Sequence, residues 1–425
     1  MTEVEAGAKT MKKSQGKILM LVQNLYPEDI RVHNEASVLV AAGYEISVIS
    51  LRRRSDKFFV VIDGVRVYRV PKLEWFRKTA QGKTAGLSGV LLKLKSFLGY
   101  LLEYGYFTGA CFLLSFMVLI KDGFDVIHAH NPPDTLFLSA LPFKLFFGKK
   151  FIFDHHDLSP ELYMSRYSAA PGIPTRLLTA AEWCSLRLAD IAIATNESYK
   201  KIQIQRGGKK PESIFVVRNG PNKSRMTPRS PSLKLREMKK CILCYVGCLN
   251  PQDGVDYLLR SLHYLQHTFK RNDFHCVIMG TGDSLEDLRK LAGDLHLDGA
   301  VNLTGYVSDE ELEANLAAAD ICLDPDPSSP LNGVSTWIKI MEYMAYSKPI
   351  VSFDLQETRF SAQEAALFVP ANDERAFAKA IMVLMDDPSL RKRKGDAGRK
   401  RVEEQLQWSV VSENLLFAYK SLLKV

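Results

Sequence analysis

The sequence is poor in the features that mark small secreted, metal-stabilised or disordered proteins. Its 425 residues include only 7 cysteines, an odd number, and most of them lie in apolar runs. This usage indicates reduced core thiols and a cytoplasmic protein, with no disulfide framework. Cys241 and Cys244 have the CxxC spacing, but neither a second cysteine pair nor a histidine pair completes a zinc site. At roughly 150 residues per domain, the length predicts two or three domains.

Long hydrophobic runs are also scarce. Residues 1–17 are polar and have no apolar segment of the signal-peptide type. The most apolar stretch, residues 107–120, is shorter than the ~20 residues that span a bilayer, so a buried helix is expected there. The preceding stretch, 91–102, is basic and amphipathic, and such a segment could lie on a membrane surface.

The excess of positive charge is small. The chain has 56 basic and 48 acidic side chains, a formal net charge of +8. This is far from the charge of a polybasic protein, and no nucleic-acid partner is expected. Residues 1–200 carry 25 basic and 19 acidic groups, a net charge of +6. Scatter would explain the asymmetry, and so would an N-terminal half that faces an anionic membrane or a phosphorylated acceptor.

The order of apolar runs and helical periods predicts an α/β protein. Apolar runs at 17–23 and 45–51 flank a helical period at 32–42 that ends at Gly43, which is a βαβ unit. The alternation continues to residue 195 and begins again at Lys240. Alternating strands and helices indicate parallel sheets covered by helices on both faces.

A segment rich in Pro, Ser and Asn at 219–231 separates the two series and is typical of a linker. We therefore predict an N-terminal Rossmann-like domain at 1–210, a C-terminal Rossmann-like domain at 211–395 and a helical tail at 396–425. In doubly wound sheets, ligands bind outside the carboxyl ends of the strands, here in the cleft between the domains.

Two clusters of polar residues follow strands of the N-terminal half. In Pro27–Glu35, Asp29 and Arg31 open a helix, which suits either an anion or a plain connection. His128 and His130 precede Asn131 at the end of the next predicted strand. They could form a metal pair, but no third ligand follows at ligand spacing, so no metal is expected. A neutral His130 that donates a hydrogen bond to a substrate is the interpretation we favour.

A third cluster, Asp154-His-His-Asp, again follows an apolar run. His156 and Asp157 could act as an acid–base or sugar-hydroxyl pair, or Asp157 could simply cap the loop.

A fourth cluster begins the helix predicted at 336–346. Ser335 or Thr336 is a suitable N-cap, which leaves first-turn amides for a phosphate. Lys339 and Glu342 are three residues apart and share one helix face. In a nucleotide site, Lys339 would contact the diphosphate and Glu342 the ribose. The alternative is a surface salt bridge between the two side chains. Spacing alone leaves both open.

With these motifs in order, the chain resembles glycosyltransferase family 4, whose members have the GT-B fold of two Rossmann-like domains. The resemblance runs from Lys17 to the C-terminus and looks like the bacterial exopolysaccharide or O-antigen branch. It rests on Pro27–Ala36, Val126–Asp134, Val217–Gly220, Tyr245–Gly247, Gly280–Asp283, Gly305–Val307 and Glu342–Val351.

The resemblance implies metal-independent, cofactor-free transfer of a sugar from a nucleotide-diphosphate donor, expected to be a UDP-sugar, with retention of configuration. The acceptor would be a glycan or a lipid-linked molecule, on the cytoplasmic face of a membrane. Glu342 matches the family's ribose-binding glutamate, and His130 matches the histidine near the transferred sugar, with Asp157 placed beside it. The remaining donor-site residues are Lys339, Thr336, Ser335, Gly280, Gly282, Asp283, Tyr306, Val307, Arg359 and Asn219, and the acceptor loops contribute Asp29, Arg31 and His156.

Three positions depart from the family pattern. Val334 stands where the family has the first glutamate of E-x7-E, and Cys248 and Asp253 stand where it has the arginine and lysine that neutralise the diphosphate. Lys339, the helix start at Thr336, Arg31 and Arg359 are the candidate replacements. Two alternatives remain open: a non-catalytic, donor-binding relative, and a sugar-nucleotide epimerase on the same fold.

Overall fold

The computed structural model describes residues 14–73, 87–167, 170–221, 226–227 and 229–424, without the side chains of residues 87–98, 100 and 167. Two parallel sheets organise it. The first has eight strands in the order β3-β4-β2-β1-β5-β6-β7-β8, and the second has six in the order β11-β10-β9-β12-β13-β14. Only β3 is antiparallel to its neighbour among the paired strands of these two sheets.

In the described part of this half, six α-helices are interleaved with the first sheet. Its strands are β1 (Lys17–Leu25), β2 (Glu45–Arg52), β3 (Phe59–Ile62), β4 (Val65–Pro71), β5 (Val126–His130), β6 (Lys150–His155), β7 (Ile191–Ala194) and β8 (Ile214–Val216). The helices are α1 (Ile30–Ala41), α2 (Leu87–Lys121), α3 (Phe137–Phe147), α4 (Ser159–Tyr167), α5 (Ile173–Leu188) and α6 (Glu197–Gln205). Strands β5 and β7 are buried along their whole length, and β7 is accordingly an apolar run, whereas β5 carries two histidines into the interior.

The second sheet repeats this plan. Its strands are β9 (Cys241–Val246), β10 (Phe274–Met279), β11 (Val301–Gly305), β12 (Ile321–Asp324), β13 (Ile350–Phe353) and β14 (Ala366–Val369). After α7 (Leu233–Glu237), its helices are α8 (Val255–His263), α9 (Leu285–Asp294), α10 (Asp309–Ala318), α11 (Ile338–Ala345), α12 (Gln356–Ala362), α13 (Glu374–Asp386) and α14 (Pro388–Arg401). The apolar runs predict these strands at 241–246, 274–279, 301–304, 320–323, 349–353 and 366–369, and every observed end lies within one residue of that prediction.

The last helix, α15 (Trp408–Leu423), returns to the first sheet. Trp408, Leu415 and Tyr419 are buried in the same apolar cluster as Ile18 and Val126. Trp408 is also tied to the linker, since its backbone N–H donates to Pro221 O at 3.1 Å. The apolar body of Trp408 therefore docks between the two halves of the chain.

The stretch 107–120, for which a buried helix is expected, is only partly buried. It belongs to α2, 35 residues long, and Phe112, Leu113 and Ile120 are exposed on it. Its segment Leu101–Lys121 is long and apolar enough to cross a membrane by length and composition, with 28% of the window buried. The helix is confirmed, but its burial is partial: Phe107, Cys111 and Val118 pack in the core, whereas another face of the helix is exposed. The basic run 91–102 lies in α2 with most of its side chains outside the described residues.

Candidate functional site

Three neighbouring strands bring the N-terminal polar clusters together. Strand β1 pairs with β5 and β5 pairs with β6, all parallel, so their carboxyl ends lie side by side. The α1 helix begins just after β1, His130 ends β5, and the loop from His156 follows β6. Residues that are far apart in sequence thus share one edge of the sheet.

Asp29 begins α1 and holds Arg31 beside it. Its carboxylate accepts backbone N–H groups of Arg31 and Val32 at 3.2 and 3.5 Å. Arg31 Nε lies 3.4 Å from Asp29 Oδ1. Burial raises the pKa of Asp29, but Arg31, His156 and Asn24 outweigh it and lower the pKa to about 2. Asp29 is therefore a charged N-cap that orients the cation.

His130 belongs to a buried cluster centred on Asp154. The carboxylate oxygen Asp154 Oδ2 lies 2.9 Å from His156 Nε2, 3.1 Å from His130 Nδ1 and 3.3 Å from His128 Nε2. His128 Nδ1 lies 2.8 Å from the hydroxyl of Tyr419, so α15 helps to fix this ring. In the described part of the chain, His130 Nε2 has no hydrogen-bond partner.

Burial sets the charge of this cluster. It lowers the pKa of His130 to about 3, with a further contribution from His128, so the ring is neutral near pH 7. Burial alone would raise the pKa of Asp154, but the neighbouring imidazoles hold it well below its usual value. The pKa of Glu35 is raised by burial and by Asp154. The cluster thus contains one ionised carboxylate and neutral His130 beside it.

The same cluster corrects the expectation that no third metal ligand reaches the histidine pair. Potential ligand atoms of Glu35, His128, His130 and Asp154 all lie within 4.8 Å of one another, and all four residues are buried. Two imidazoles and two carboxylates are a donor set that suits zinc and similar ions. The two carboxylates were missed because they come from α1 and β6, far from the histidines in sequence.

Asn131 is a structural residue of the site whose contacts the sequence did not reveal. Its Oδ1 accepts from the backbone N–H of His156 at 2.6 Å and of Asp157 at 3.1 Å. Its Nδ2 donates to Asp157 O at 2.6 Å and to Asp134 Oδ1 at 2.9 Å. Asn131 therefore holds the loop after β6 in place. Asp157 is fixed through its backbone, and its partly exposed side chain contributes to raising the pKa of Arg31.

Glu342 lies where the two halves of the chain meet. It lines a small pocket of 50 Å³ with Arg31 and Asn34 of α1, Asn219 of the linker, and Trp408. A carboxylate from one domain thus lies near a guanidinium from the other. The structure brings Glu342, Arg31 and Asn219 together in one cleft.

Lys339 does not pair with Glu342 and does not face open solvent. It is buried, with Nζ 2.7 Å from Asp326 Oδ2 and 3.1 Å from Asp324 Oδ1. Although burial alone would lower the pKa of Lys339, Asp326 and its other neighbours raise it well above the usual value. The alternative of a surface salt bridge between Lys339 and Glu342 is therefore wrong, because the Lys339 ammonium group lies at the end of β12.

The predicted N-cap is also wrong. Helix α11 begins at Ile338 with Trp337 as its N-cap, which makes no side-chain cap hydrogen bond. Ser335 Oγ instead donates to Leu331 O at 2.8 Å. Thr336 Oγ1 accepts from Asn196 Nδ2 at 2.9 Å, a contact between the domains. Tertiary contacts outcompete capping at both residues.

The glycine-containing loop after β10 packs tightly on the loop after β9. A Cβ built on Gly280 would lie 1.8 Å from Gly247 O, and one on Gly282 would lie 2.4 Å from Leu249 O. The next residue, Asp283, accepts from Arg166 Nη2 across the cleft at 2.7 Å. Only glycine permits this approach, so both positions need glycine for packing alone. Their role in binding a base stays a prediction.

Two further residues predicted for the donor site follow Gly305, whose carbonyl oxygen accepts from the Gly280 backbone N–H at 3.0 Å. Tyr306 is 84% exposed. Val307 is partly buried and packs against the core beneath β9 and β10.

Arg359 differs from the expectation of a phosphate-facing loop residue. It lies on α12, where Nε and Nη2 each donate to the Asp354 carboxylate at 2.6 Å. Its side chain is 55% exposed. Asp253, in the position of the family's lysine, is buried and accepts from the Asn250 backbone N–H at 3.0 Å. Burial raises the pKa of both Asp253 and Cys248.

Family models match both halves of the chain. The description "Glycosyltransferase Family 4" applies to residues 30–225, and "Glycosyl transferases group 1" to residues 240–387. Among curated relatives, a phosphatidyl-myo-inositol mannosyltransferase of Mycobacterium leprae is 26% identical over 305 residues, 71% of this chain and 75% of that protein. An alpha-D-kanosaminyltransferase of Streptomyces kanamyceticus is 26% identical over 183 residues, which covers 43% of this chain and 46% of the relative.

Solved structures share the architecture at low identity. Sucrose-phosphate synthase from Thermosynechococcus elongatus superposes with a TM-score of 0.71 at 18% identity, covering 96% of this chain and 100% of that one. Anabaena HepE, solved with UDP and glucose, gives a TM-score of 0.68 at 15% identity, with 96% and 100% covered. At 18% and 15% identity, these two similarities establish the fold alone. The family matches, together with two facing Rossmann-like domains, show that the chain belongs to glycosyltransferase family 4 and is a glycosyltransferase of the GT-B fold.

Proposed function

We propose that this enzyme moves a sugar from a nucleoside-diphosphate sugar, with UDP-sugar as the first candidate, to a glycan or lipid-linked acceptor. The observation that carries the proposal is the meeting of Glu342, Arg31 and Asn219 in one pocket between the domains. A carboxylate can accept two ribose hydroxyls, and a guanidinium is the side chain best suited to a phosphate. Anabaena HepE was solved with UDP, which supports the choice of base to test first.

Arg31 is the first candidate for binding the donor diphosphate, ahead of Lys339 and Arg359. Lys339 is already compensated by two aspartates, and Arg359 is paired with Asp354. Arg31 is paired at 3.4 Å with Asp29 and lies in the cleft.

At the reaction centre, we assign His130 to the transferred sugar. With ionised Asp154 3.1 Å from Nδ1, the hydrogen of the neutral ring belongs on Nδ1. The buried Nε2 would then accept a hydrogen bond from a sugar hydroxyl, whereas the sequence had suggested a donor. Asp157 and His156 would line the acceptor side.

The proposed reaction retains the configuration of the sugar. The bond between the anomeric carbon and the diphosphate oxygen breaks, the acceptor oxygen bonds to that carbon on the same face, and the acceptor's proton passes to the leaving phosphate. No step needs a metal ion, because the developing charge on the diphosphate can be met by Arg31 and oriented dipoles. The acceptor side would work at the cytoplasmic surface of a membrane, and the M. leprae relative, named for a phosphatidyl-myo-inositol substrate, supports a lipid-linked acceptor.

Ligand-dependent stability tests the proposal directly. A ligand at 100 times its dissociation constant adds ~2.7 kcal/mol to the free energy of unfolding. UDP, GDP and ADP should be compared by thermal shift, followed by turnover of the matching radiolabelled sugar donor with membrane lipid extracts. We expect UDP to stabilise the protein. Failure of every nucleoside diphosphate to do so would contradict the donor site.

A further inference from the structure

A groove on the N-terminal domain has no role in the chemistry described above. It lies between α2, α3 and α5 and has a volume of 620 Å³. This falls in the range of small-molecule sites, ~300–1,000 Å³. The lining is almost wholly apolar and includes Leu101, Phe112, Leu138 and Leu177. Such a lining suits a hydrocarbon, and it offers little to a sugar or a nucleotide.

Two helical glycines keep the groove open. Gly105 and Gly109 lie one turn apart on α2 and both line the groove, and a Cβ built on either meets no atom within 4 Å. Glycine is unfavourable inside a helix. Close packing against another helix is one reason for a glycine inside a helix, but no described helix fills the space in front of these two residues. Larger side chains at both positions would project into the groove.

The groove lies within a surface that is unusually apolar for a protein exposed to water. Leu113 and Ile120 of α2, Phe146 of α3 and Ile173 of α5 are 69%, 87%, 78% and 73% exposed. The segment Leu101–Lys121 is long and apolar enough to cross a membrane, and only 28% of its most apolar stretch is buried. Large exposed apolar surfaces mark sites of protein or membrane interaction.

The accompanying polar groups favour a lipid over a protein partner. Arg187 lies with its guanidinium 5.5 Å from the ring centroid of Trp183, which is 45% exposed. Tryptophan with a neighbouring cation is typical of the membrane–water interface. Arg176 adds an exposed positive charge on α5, whereas Glu182 of the same helix is buried and paired with Arg206. Cations around an apolar surface complement anionic headgroups.

The groove also lies beside the reaction centre. Thr135 lines it and follows His130 by five residues, in the turn between β5 and α3. Thr135 Oγ1 lies 2.7 Å from Thr108 Oγ1 on α2. The start of α3, the start of α5 and the middle of α2 therefore meet at the carboxyl edge of the sheet, where the cleft opens.

We propose that this groove holds the hydrocarbon chain of a membrane-embedded, lipid-linked acceptor, with its headgroup reaching His130. This inference rests on the proposed function and deepens it, because it selects a lipid-linked acceptor over a water-soluble glycan. The chain would enter from the exposed apolar surface of α2, α3 and α5. Specificity for the sugar donor stays with the opposite domain.

Binding of the fluorescent fatty acid cis-parinaric acid to the full-length protein tests the groove. We expect saturable binding that Gly109→Leu weakens by about tenfold or more, because each excluded methylene group loses apolar burial. Leu177→Glu, at a side chain that is 51% exposed, should have the same effect without loss of folding. Gly293→Leu is the matched control, since a Cβ at this helical glycine of α9 also meets no atom within 4 Å.

Two results would overturn the inference. Either wild-type protein does not bind the probe, or Gly109→Leu and Leu177→Glu bind it as wild type does. Sedimentation that shows a dimer dissociated by Leu177→Glu would also overturn it, since a second copy would then cover the groove. Nucleotide affinity is measured on the same samples. If wild-type protein binds nucleotide but not cis-parinaric acid, only the lipid role of the groove is rejected. If it binds neither, the proposed function is rejected as well.

The reaction itself gives the second readout. Radiolabelled sugar should enter organic-solvent-extractable material when membrane lipids are supplied, and Gly109→Leu should reduce that product while Gly293→Leu does not. Transfer only to water-soluble glycans would contradict a lipid-linked acceptor.

Discussion

Lys339 Nζ lies 2.7 Å from Asp326 Oδ2, and both side chains are at least nine-tenths buried. Asp324 Oδ1 is a second contact of the same ammonium group, at 3.1 Å. Burial and Asp324 raise the pKa of Asp326, so the pair depends on Lys339 for its charge balance. This cluster occupies the end of β12.

The Lys339 cluster should be a stability element first. Lys339→Met leaves two buried carboxyl groups without their cation, and breaking a buried pair in this way costs ~3–5 kcal/mol. Chemical denaturation should show that loss. The double variant Lys339→Met/Asp326→Asn should recover part of it. If Lys339→Met is as stable as wild type but binds UDP weakly, Lys339 serves the diphosphate directly and its pairing is incidental.

Glu342 should hold the donor ribose. A carboxylate that accepts ribose hydroxyls contributes ~1.5–3 kcal/mol, so Glu342→Ala should weaken nucleotide binding by roughly tenfold or more. Titration calorimetry with UDP measures this effect. Glu286→Ala, a change at a surface pair with Arg289, is the control. Equal affinities for wild type and Glu342→Ala would remove Glu342 from the donor site.

These two residues show what the sequence could and could not reveal. The role of Glu342 was predicted from the resemblance, and the structure places this residue in the pocket between the two halves of the chain. The sequence did not reveal the aspartate partners of Lys339, because i, i+3 spacing describes one helix face, whereas tertiary packing turns Lys339 toward β12. Glu35 and Asp154 reach His128 only through the strand order β1-β5-β6. That order is a property of the fold, and local periodicity does not contain it.

Asp29 gives a prediction on pH. Its folded pKa is about 2, below the ordinary 3.8, so its stabilising contribution is present above pH 3.8 and is lost as the pH falls toward 2. Asp29→Ala should lose about 1 kcal/mol from the N-cap as well, whereas Asp29→Asn keeps a cap without the charge. Denaturation at pH 7 and pH 3 separates the two terms. An Asp29→Asn variant as pH-dependent as wild type in this range would contradict the assignment.

Removal of metal should leave transfer unchanged. The proposed reaction uses Arg31 and dipoles on the diphosphate, although the Glu35, His128, His130 and Asp154 group has a donor set that suits zinc. Activity after EDTA treatment and gel filtration, together with metal analysis of the protein, measures this dependence. Activity lost with EDTA and restored by zinc would show that this group has a metal-dependent role.

His130 should affect the chemical step more than donor binding. Its Nε2 is buried and has no hydrogen-bond partner among the described residues, while Nδ1 faces Asp154 at 3.1 Å. His130→Ala removes an interaction with the transferred sugar, and loss of such a hydrogen bond should reduce kcat by about tenfold or more. Since the UDP part binds elsewhere, UDP affinity should stay near that of wild type. His296→Ala, at an exposed histidine far along the chain on the second domain, is the control.

Asp154→Asn should act in the same direction, because it weakens the preference for hydrogen on Nδ1 and leaves His130 in place. A fall in UDP affinity equal to the fall in kcat for His130→Ala would mean that the histidine supports the fold of the cleft and does not contact the sugar.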